Sequence, residues 1–359
     1  MYPFTEGSFA PRNGWYVAAH AAEIARAPLA RDILGEPVVL YRREDGRAVA
    51  VGGRCPHRHY PLGCGSLRGD AIVCGYHGIA FGDDGRCVSI PTQAGVPGAV
   101  RIPSYPLVEH GLWLFIWMGD AESADPALLP DLAEIGLGLP NMRGRGFFVD
   151  EVKARYQLLN DNLLDLSHVA FLHSSSIGTE EDAQPEEHLT KRDGIVGSRR
   201  YTRNSPAPPI NAVSGLYSGL IDRVLGLDFY LPGLHAGFAD MHYAQDHPDH
   251  AGECFKSVWF YHAITPVSAK TTRYFFAVAM DAGDAEFEQM RRITRAINDE
   301  DIAAAERIEI MLGKLDGPPR DLLLRADRNA VEGRRMLQAM IDRERGTAAA
   351  PARRAAATA

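Results

Sequence analysis

Two short ligand pairs, Cys55-Pro-His57 and Cys74-Gly-Tyr-His77, stand sixteen residues apart in a stretch punctuated by glycine and proline. Each pair can seat two metal donors on one tight loop, and a hairpin between them can bring the loops face to face. Cysteine usage points the same way. The chain holds five cysteines; Cys55, Cys64, Cys74 and Cys87 fall within 33 residues, and Cys254 stands alone. An odd count in a large cytosolic chain is poor disulfide material and better thiol or metal-ligand material. A length of 359 residues suggests two domains, at roughly 150 residues each, and is enough to bury a core without covalent staples.

Zinc is one occupant for the double pair, although structural zinc sites favour about two to four residues between the members of the first pair. Here there is one. Two thiolates on one iron and two imidazoles on the other make a Rieske [2Fe–2S] centre, in which neutral histidines raise the potential. Gly63, Gly65, Gly75 and Gly78 would let the backbone approach such a cluster, and Pro56 and Pro61 would stiffen its loops. The competing reading makes Cys64 and Cys74 small buried apolar residues and the histidines surface polar groups. Cys64, Cys87 and His59 have no place in a four-ligand scheme and read as structural.

From Trp15 to Met118, short apolar runs are broken by Gly, Pro, Asp and Asn. Pro37–Tyr41, Ala48–Val51, Ala71–Cys74 and Leu112–Trp117 read as strands, and Asp83-Asp84-Gly85 as a hairpin turn. The spacing predicts an all-β domain over 10–118. Small, acidic and proline residues over 119–145 read as a connecting segment. In 146–345 the classes mix. Tyr156–His173, Glu286–Leu312 and Asn329–Arg345 carry helical periodicity, whereas Phe255–Thr265 and Thr271–Met280 are β-branched and aromatic. This second part reads as an α+β domain, and the alanine-rich 346–359 as a disordered tail.

A net charge of −8 without a block of like charge argues against a nucleic-acid binder. The longest apolar run, Leu112–Met118, is strand-sized, which argues against a membrane span. The first residues, Met1 to Gly7, lack the basic start and apolar stretch of a signal peptide, so the cytoplasm is the expected compartment.

A second constellation lies in Asp161-Asn-Leu-Leu-Asp165-Leu-Ser-His168-Val-Ala-Phe-Leu-His173. On a regular helix the two histidines would point about 140° apart, so convergence on one ion requires a helix end or a bulge. Asp165 and His168, at i and i+3, are close enough to hydrogen-bond, and a buried carboxylate there would fix the imidazole tautomer. A third ligand should be a carboxylate, and Asp299-Glu300-Asp301 supplies three candidates. Two histidines and one carboxylate leave open positions on iron, as in non-heme Fe(II) oxygenases. Taken alone, the same residues suit satisfied core histidines and an acidic stretch on a helix.

Together these motifs resemble the oxygenase (α) component of Rieske non-heme iron oxygenases, in the branch of vanillate and dicamba O-demethylases. The matching stretches are Asn13–Ala18, Cys55–Arg58, Cys74–Gly78, Trp117–Asp120, Asp161–His173 and Glu300-Asp301, within a likeness running from about residue 10 to 345. The resemblance implies that Cys55 and Cys74 bind one cluster iron and His57 and His77 the other. His168, His173 and Asp301 would hold a mononuclear Fe(II), Asp301 being chosen over its neighbours by its match to the family's Glu-Asp pair. Asp165 matches an aspartate that bridges His168 and, in a homotrimer, His77 of the neighbouring subunit. Asn162 matches a residue near the iron. The C-terminal half would be a helix-grip fold of the START/Bet v1 type, with a curved antiparallel sheet around the pocket. Ser174–Gly178 resembles the vanillate-type members. His262 matches a position where dicamba-type members contact the substrate carboxylate; otherwise it is a polar residue at a strand end. The implied activity is O-demethylation of a methoxylated aromatic acid with O2. Electrons would come from NADH through a separate flavin and iron–sulfur reductase, directly or by way of a ferredoxin. Hydroxylation of another aromatic or alicyclic substrate, and a Rieske electron carrier, are the alternatives.

Overall fold

The computed structural model describes residues 8–317 and 319–346. Apart from Gly346, the expected tail lies outside the described residues. The N-terminal part is built from ten short strands: β1 (Trp15–His20), β2 (Leu29–Ile33), β3 (Glu36–Arg42), β4 (Ala48–Gly52), β5 (Ser66–Arg68), β6 (Ala71–Val73), β7 (Ala80–Phe81), β8 (Cys87–Ser89), β9 (Leu107–His110) and β10 (Trp113–Trp117). They form sheets in the orders β1-β10-β9, β2-β3-β4 and β5-β6-β7-β8. The C-terminal part adds β11 (Arg143–Val152), β12 (Glu186–Arg192), β13 (Ile195–Pro206), β14 (Leu220–Tyr230), β15 (Leu234–Tyr243), β16 (Cys254–Ser268) and β17 (Thr271–Met280). Its helices are α1 (Tyr156–Leu164), α2 (Val169–Leu172), α3 (Pro209–Val213), α4 (Asp284–Leu312) and α5 (Arg328–Glu344). Among the described residues, no helix is long and apolar enough to cross a membrane.

The seven C-terminal strands make one antiparallel sheet, ordered β11-β17-β16-β15-β14-β13-β12. The first strand therefore lies beside the last, and α1 and α2 occupy the connection from β11 to β12. α4 follows β17 and buries a stripe of Phe287, Thr294, Ile297, Asn298, Asp301, Ala305 and Glu309. The three-to-four-residue spacing marks one helix face, and four of its members, Thr294, Asn298, Asp301 and Glu309, are polar. Glu309 takes Arg155, just before α1, in hydrogen bonds of 2.6 and 2.7 Å. On the other side, α5 holds α1 through Arg334 and Asp161 at 2.6 Å.

The N-terminal strands do not fold around a core of their own alone. Successive side chains of a strand face opposite ways, and on β1 both sets are buried. Trp15 and Val17 join Trp113, Trp117, Tyr261 and Phe275 in one core, while Tyr16 and Ala18 join Leu114, Ile264 and Tyr274 in another. Thr265 Oγ1 donates to the Val17 carbonyl at 2.7 Å and ties β16 to this sheet. A third core packs Val39, Tyr41, Val51, Ile72 and Phe81 around Cys55 and Cys74.

Every strand expected from the sequence is present at its place, as are α4 and α5, and β11 begins at Arg143, inside the expected connecting segment. The strands β11 to β15 lack a sequence signal because their faces are mixed. On β13 and β14, charged residues occupy both faces where a partner waits: Arg199 meets Asp228 at 2.8 Å on one face, and Arg223 meets Asp182 on the face toward the cavity.

His235 of β15 is fully buried, stacked on Phe229 with ring centroids 4.1 Å apart and bonded through Nε2 to Asn160 Oδ1 at 2.8 Å. Burial pushes its pKa well below the ordinary value. Below about pH 6.5 the unfolded chain takes up a proton that the native chain refuses, so stability falls on acidification by about 1.4 kcal/mol per pH unit for this group. Urea melts of wild type and His235→Gln between pH 7.5 and 5.5 are expected to show a shallower pH slope in the variant; equal slopes would contradict the assignment.

Candidate metal centres and active-site cavity

The two ligand loops of the N-terminal part share one geometry. Cys55 N–H donates to the Tyr60 carbonyl at 3.0 Å, and His59 N–H returns to the Cys55 carbonyl at 2.9 Å. Cys74 N–H donates to Ile79 at 2.8 Å, and Gly78 N–H returns to Cys74 at 3.0 Å. The turn requires a left-handed residue at the same place in both loops, filled by His59 (φ 56°) and Gly78 (φ 70°). That is the structural role of His59, and an added Cβ at Gly78 would also come within 3.0 Å of Pro91. Gly65 serves packing instead of the ligands: its Cβ would lie 2.2 Å from the Val73 carbonyl.

These paired turns bring four donors together. Cys55 and Cys74 are 1% and 2% exposed, whereas Cys64 is exposed, so the reading of Cys64 as a buried apolar residue fails. The imidazoles of His57 and His77 approach with centroids 4.5 Å apart, His57 being exposed. Burial pushes the Cys55 thiol up and Cys74 adds to this, while the N–H groups of His57 and Arg58 point at the sulfur and pull it back. Two buried thiols, Cys55 with backbone donors at its sulfur, beside a pair of outer imidazoles fit a [2Fe–2S] cluster with sulfur ligation inside and histidine ligation outside.

The second site begins where α1 ends. Asp165 leaves the helix with φ −114° and ψ 91°, and its carboxylate accepts from Ser167 N at 2.9 Å to cap a 3₁₀ turn over Leu166–His168. The single turn of α2 follows, so His168 and His173 sit at its two ends instead of on a continuous helix. Their rings lie 5.2 Å apart. From α4, Asp301 Oδ1 reaches His173 Nε2 at 3.0 Å and His168 Nε2 at 3.6 Å. The donor atoms of His168, His173 and Asp301 all fall within 4.8 Å of one another.

Both imidazoles are held by their other nitrogen. His168 Nδ1 lies 2.6 Å from the main-chain carbonyl of Asp165, so the backbone, and not the carboxylate expected from the sequence, orients that ring. His173 Nδ1 meets Glu300 Oε2 at 2.7 Å. Each Nδ1–H has an acceptor, which leaves both Nε2 lone pairs turned to the centre, as metal ligation requires. Burial pushes His168 down, with Asp301 drawing it back. At His173 burial acts downward too but is outweighed by Asp301 and Glu300, and its proton affinity rises. Burial raises Asp301, but His173, His168 and Asn162 together leave it below its ordinary range. Asn162 Nδ2 donates to Asp301 Oδ1 at 3.1 Å. Asp299 points away, 62% exposed and paired with Arg295. The role of Glu300 escaped the sequence reading, although its place before Asp301 was the available signal.

The three donors open onto a cavity between the sheet and α4, walled by Leu225, Leu227, Val258, Phe260, Met290 and Ile297. His262 also lines it, in the interior of β16 opposite His235 and Phe276, which removes the strand-end alternative. Its Nδ1 lies 2.5 Å from Tyr274 Oη, which in turn reaches Asn298 Oδ1 at 3.4 Å. Burial pushes His262 down to about 4, so it faces the cavity uncharged near neutral pH.

A family profile described as the Rieske [2Fe–2S] domain matches residues 14–106, and one described as the vanillate O-demethylase oxygenase C-terminal domain matches 152–343. The chain belongs to the Rieske non-heme iron oxygenases. Within that family it is 32% identical over 351 residues to the oxygenase component of chloroacetanilide N-alkylformylase from Rhizorhabdus wittichii, covering 93% of this chain and 96% of that one. It is 40% identical over 215 residues to a vanillate O-demethylase oxygenase subunit from a Pseudomonas species, covering 60% of this chain and 59% of that one. A putative toluene-4-sulfonate monooxygenase iron–sulfur subunit from Comamonas testosteroni is 39% identical over 216 residues, 59% of this chain and 61% of that one. These last two alignments span less than two thirds of the relatives' own length. The crystal structure of dicamba monooxygenase bound to dicamba superposes with a TM-score of 0.82 at 28% identity, covering 93% of this chain and 98% of that one.

Two substitutions separate the metal sites of this Rieske oxygenase. Asp301→Asn is expected to lose the mononuclear iron and keep the cluster absorption; Cys74→Ser should do the reverse. Glu300→Gln weakens the acceptor on His173 and should lower mononuclear iron affinity by about 10–100-fold, read by iron titration against a chelator.

Proposed function

We propose that this chain is the terminal oxygenase component of a Rieske monooxygenase that removes the methyl group of a methoxylated aromatic acid. The overall change is ArOCH3 + O2 + 2e⁻ + 2H⁺ to ArOH + HCHO + H2O. Hydroxylation of the methyl group yields a hemiacetal, which collapses to phenol and formaldehyde. One observation carries the reading: two imidazoles and a carboxylate, each held by a second contact, face an apolar cavity in a chain that also converges two thiols and two imidazoles. When bound, the [2Fe–2S] cluster at Cys55, His57, Cys74 and His77 supplies single electrons, and Fe(II) at His168, His173 and Asp301 activates dioxygen.

The chain's own residues supply position and exclusion of water. Phe260, Val258, Leu225 and Leu227 bury the aryl body. His262, held by Tyr274, presents an uncharged imidazole to the substrate space. Asn162 and Glu300 keep Asp301 and His173 in place. The chain would work as a homotrimer beside a separate NADH-dependent flavin and iron–sulfur reductase, with or without a ferredoxin. Exposure of His57, and of Phe171 at 74% between the two iron-site histidines, supports a contact between subunits at both places. Asp165, partly exposed, would face His77 of the neighbouring subunit there. The division of labour follows the expected boundaries, with 10–118 receiving electrons and 146–345 handling oxygen and substrate.

Substrate-dependent oxygen uptake across a panel of methoxybenzoates, with a surrogate reductase, tests the activity. Formaldehyde should appear mole for mole with oxygen consumed, from protein holding three irons per chain. Oxygen uptake with a hydroxylated product and no formaldehyde would identify hydroxylation instead, and two irons per chain an electron carrier. Asp165→Asn should keep all three irons and lose turnover by about 10–100-fold; full turnover would remove Asp165 from the proposed link.

A further inference from the structure

The cavity has a second polar end that the iron site does not use. Along α4 its lining runs from Asp301 back to Met290, eleven residues or about 16 Å at the helical rise. Along β16 the same wall presents Lys256, Val258, Phe260 and His262, so Lys256 and His262 stand about 20 Å apart at opposite ends. The stretch between them is apolar.

Charge is distributed unevenly along this length. At the iron end His262 is neutral, and the other cavity-lining side chains there that are not ligands include Asn298 and Phe276. Arg223 also lines the cavity, but its guanidinium is committed to Asp182 and to the Ile177 carbonyl at 3.0 Å. Lys256 differs. Its side chain is 16% exposed, and its ion-pair partner among the described residues is Glu286 at 3.9 Å, the outer limit of such a contact. Glu286 is itself engaged, accepting from Gly283 N at 2.9 Å to cap α4. A cation so weakly paired, at the end of an apolar channel, can take an incoming oxyanion in a shorter, charge-assisted bond.

We propose that Lys256 is a specificity-determining residue that fixes the anionic end of an elongated aryl methyl ether, leaving its methoxy end beside His168, His173 and Asp301. The inference rests on the demethylation reading above and narrows its substrate class. Allowing about 3 Å for contact at each end of a channel of about 16–20 Å, the substrate spans roughly 10–14 Å from methyl carbon to carboxylate or sulfonate. A single methoxybenzoate ring is too short to engage both ends.

Three probes distinguish the outcomes: 4′-methoxybiphenyl-4-carboxylate, neutral 4-methoxybiphenyl, and 4-methoxybenzoate. Calorimetric binding and formaldehyde release are read for wild type, Lys256→Gln and Lys256→Arg. In Lys256→Gln the ratio of the biphenyl acid's KM to that of the neutral biphenyl should rise about tenfold, with the effect in KM and not kcat, and Lys256→Arg should restore it to within about twofold. Added salt should weaken the acid's binding to wild type and not to Lys256→Gln. Equal losses on acid and neutral probe, or an equal loss on 4-methoxybenzoate, would overturn the assignment. Absence of formaldehyde from all three probes would instead overturn the demethylation reading, while charge-selective binding that disappears in Lys256→Gln would still stand.

Discussion

A helix packed against a sheet must find partners for the charges on its inner stripe, because an unpaired buried charge costs several kcal/mol. On α4 that stripe carries Asp301 and Glu309, and their partners come from outside the helix. Glu309 draws in Arg155 at the start of α1, while Asp301 draws in Asn162 within α1 and His173 at the end of α2. The iron site is thus assembled by the same pairings that dock α1 and α2 in the connection from β11 to β12. Arg334 of α5 closes the clamp on Asp161.

The cluster loops rest on a different constraint. Each needs a left-handed residue four positions after its cysteine, and each sits above a packed β core that buries the sulfur side and exposes the imidazole side. The core beneath is not isolated from the rest. Val38 and Leu40 of β3 and Ala50 of β4 turn into the core that also holds Tyr16, Leu114, Ile264 and Tyr274, so the sheet that carries the Cys55 loop is packed against the strands that wall the cavity. The cluster loops and the cavity are therefore tied to each other through shared cores.

Within the cavity, shape and charge act separately. The apolar walls of β14, β16 and α4 bind aromatic surface without regard to orientation. The polar groups stand at the ends: the His262–Tyr274–Asn298 chain beside His168, His173 and Asp301, and Lys256, the proposed anion partner, at the far end. Arg223, though it lines the same space, is neutralised by Asp182 and spends its charge on holding the turn after α2 against β14.

The candidate metal ligands were legible in the sequence because ligand chemistry is local. Cys-x-His and Cys-x-x-His lie on single loops, and His168 and His173 flank a single helical turn, so their spacing carries the information. Long periodic elements such as α4, α5 and β17 were legible for the same reason. What the sequence did not carry was set by contacts between distant residues. Strands β13 and β14 hide their alternation because Arg199, Arg223 and Asp228 place charges on both faces of the sheet, against partners that only the folded chain supplies. Glu300 becomes the acceptor for His173, and the Asp165 carbonyl the acceptor for His168, only once α4 and the turn after α1 are in place. The five cysteines divide in the same way. Their spacing pointed to Cys55 and Cys74 as a pair, but burial of those two together, with Cys64 and Cys254 left exposed, follows from the β core beneath the loops. The candidate ligands were a property of the chain and their orientation a property of the folded backbone, because the turn after α1 aims the Asp165 carbonyl at His168 and α4 brings Glu300 to His173, which decides the nitrogen each ring presents to the cavity.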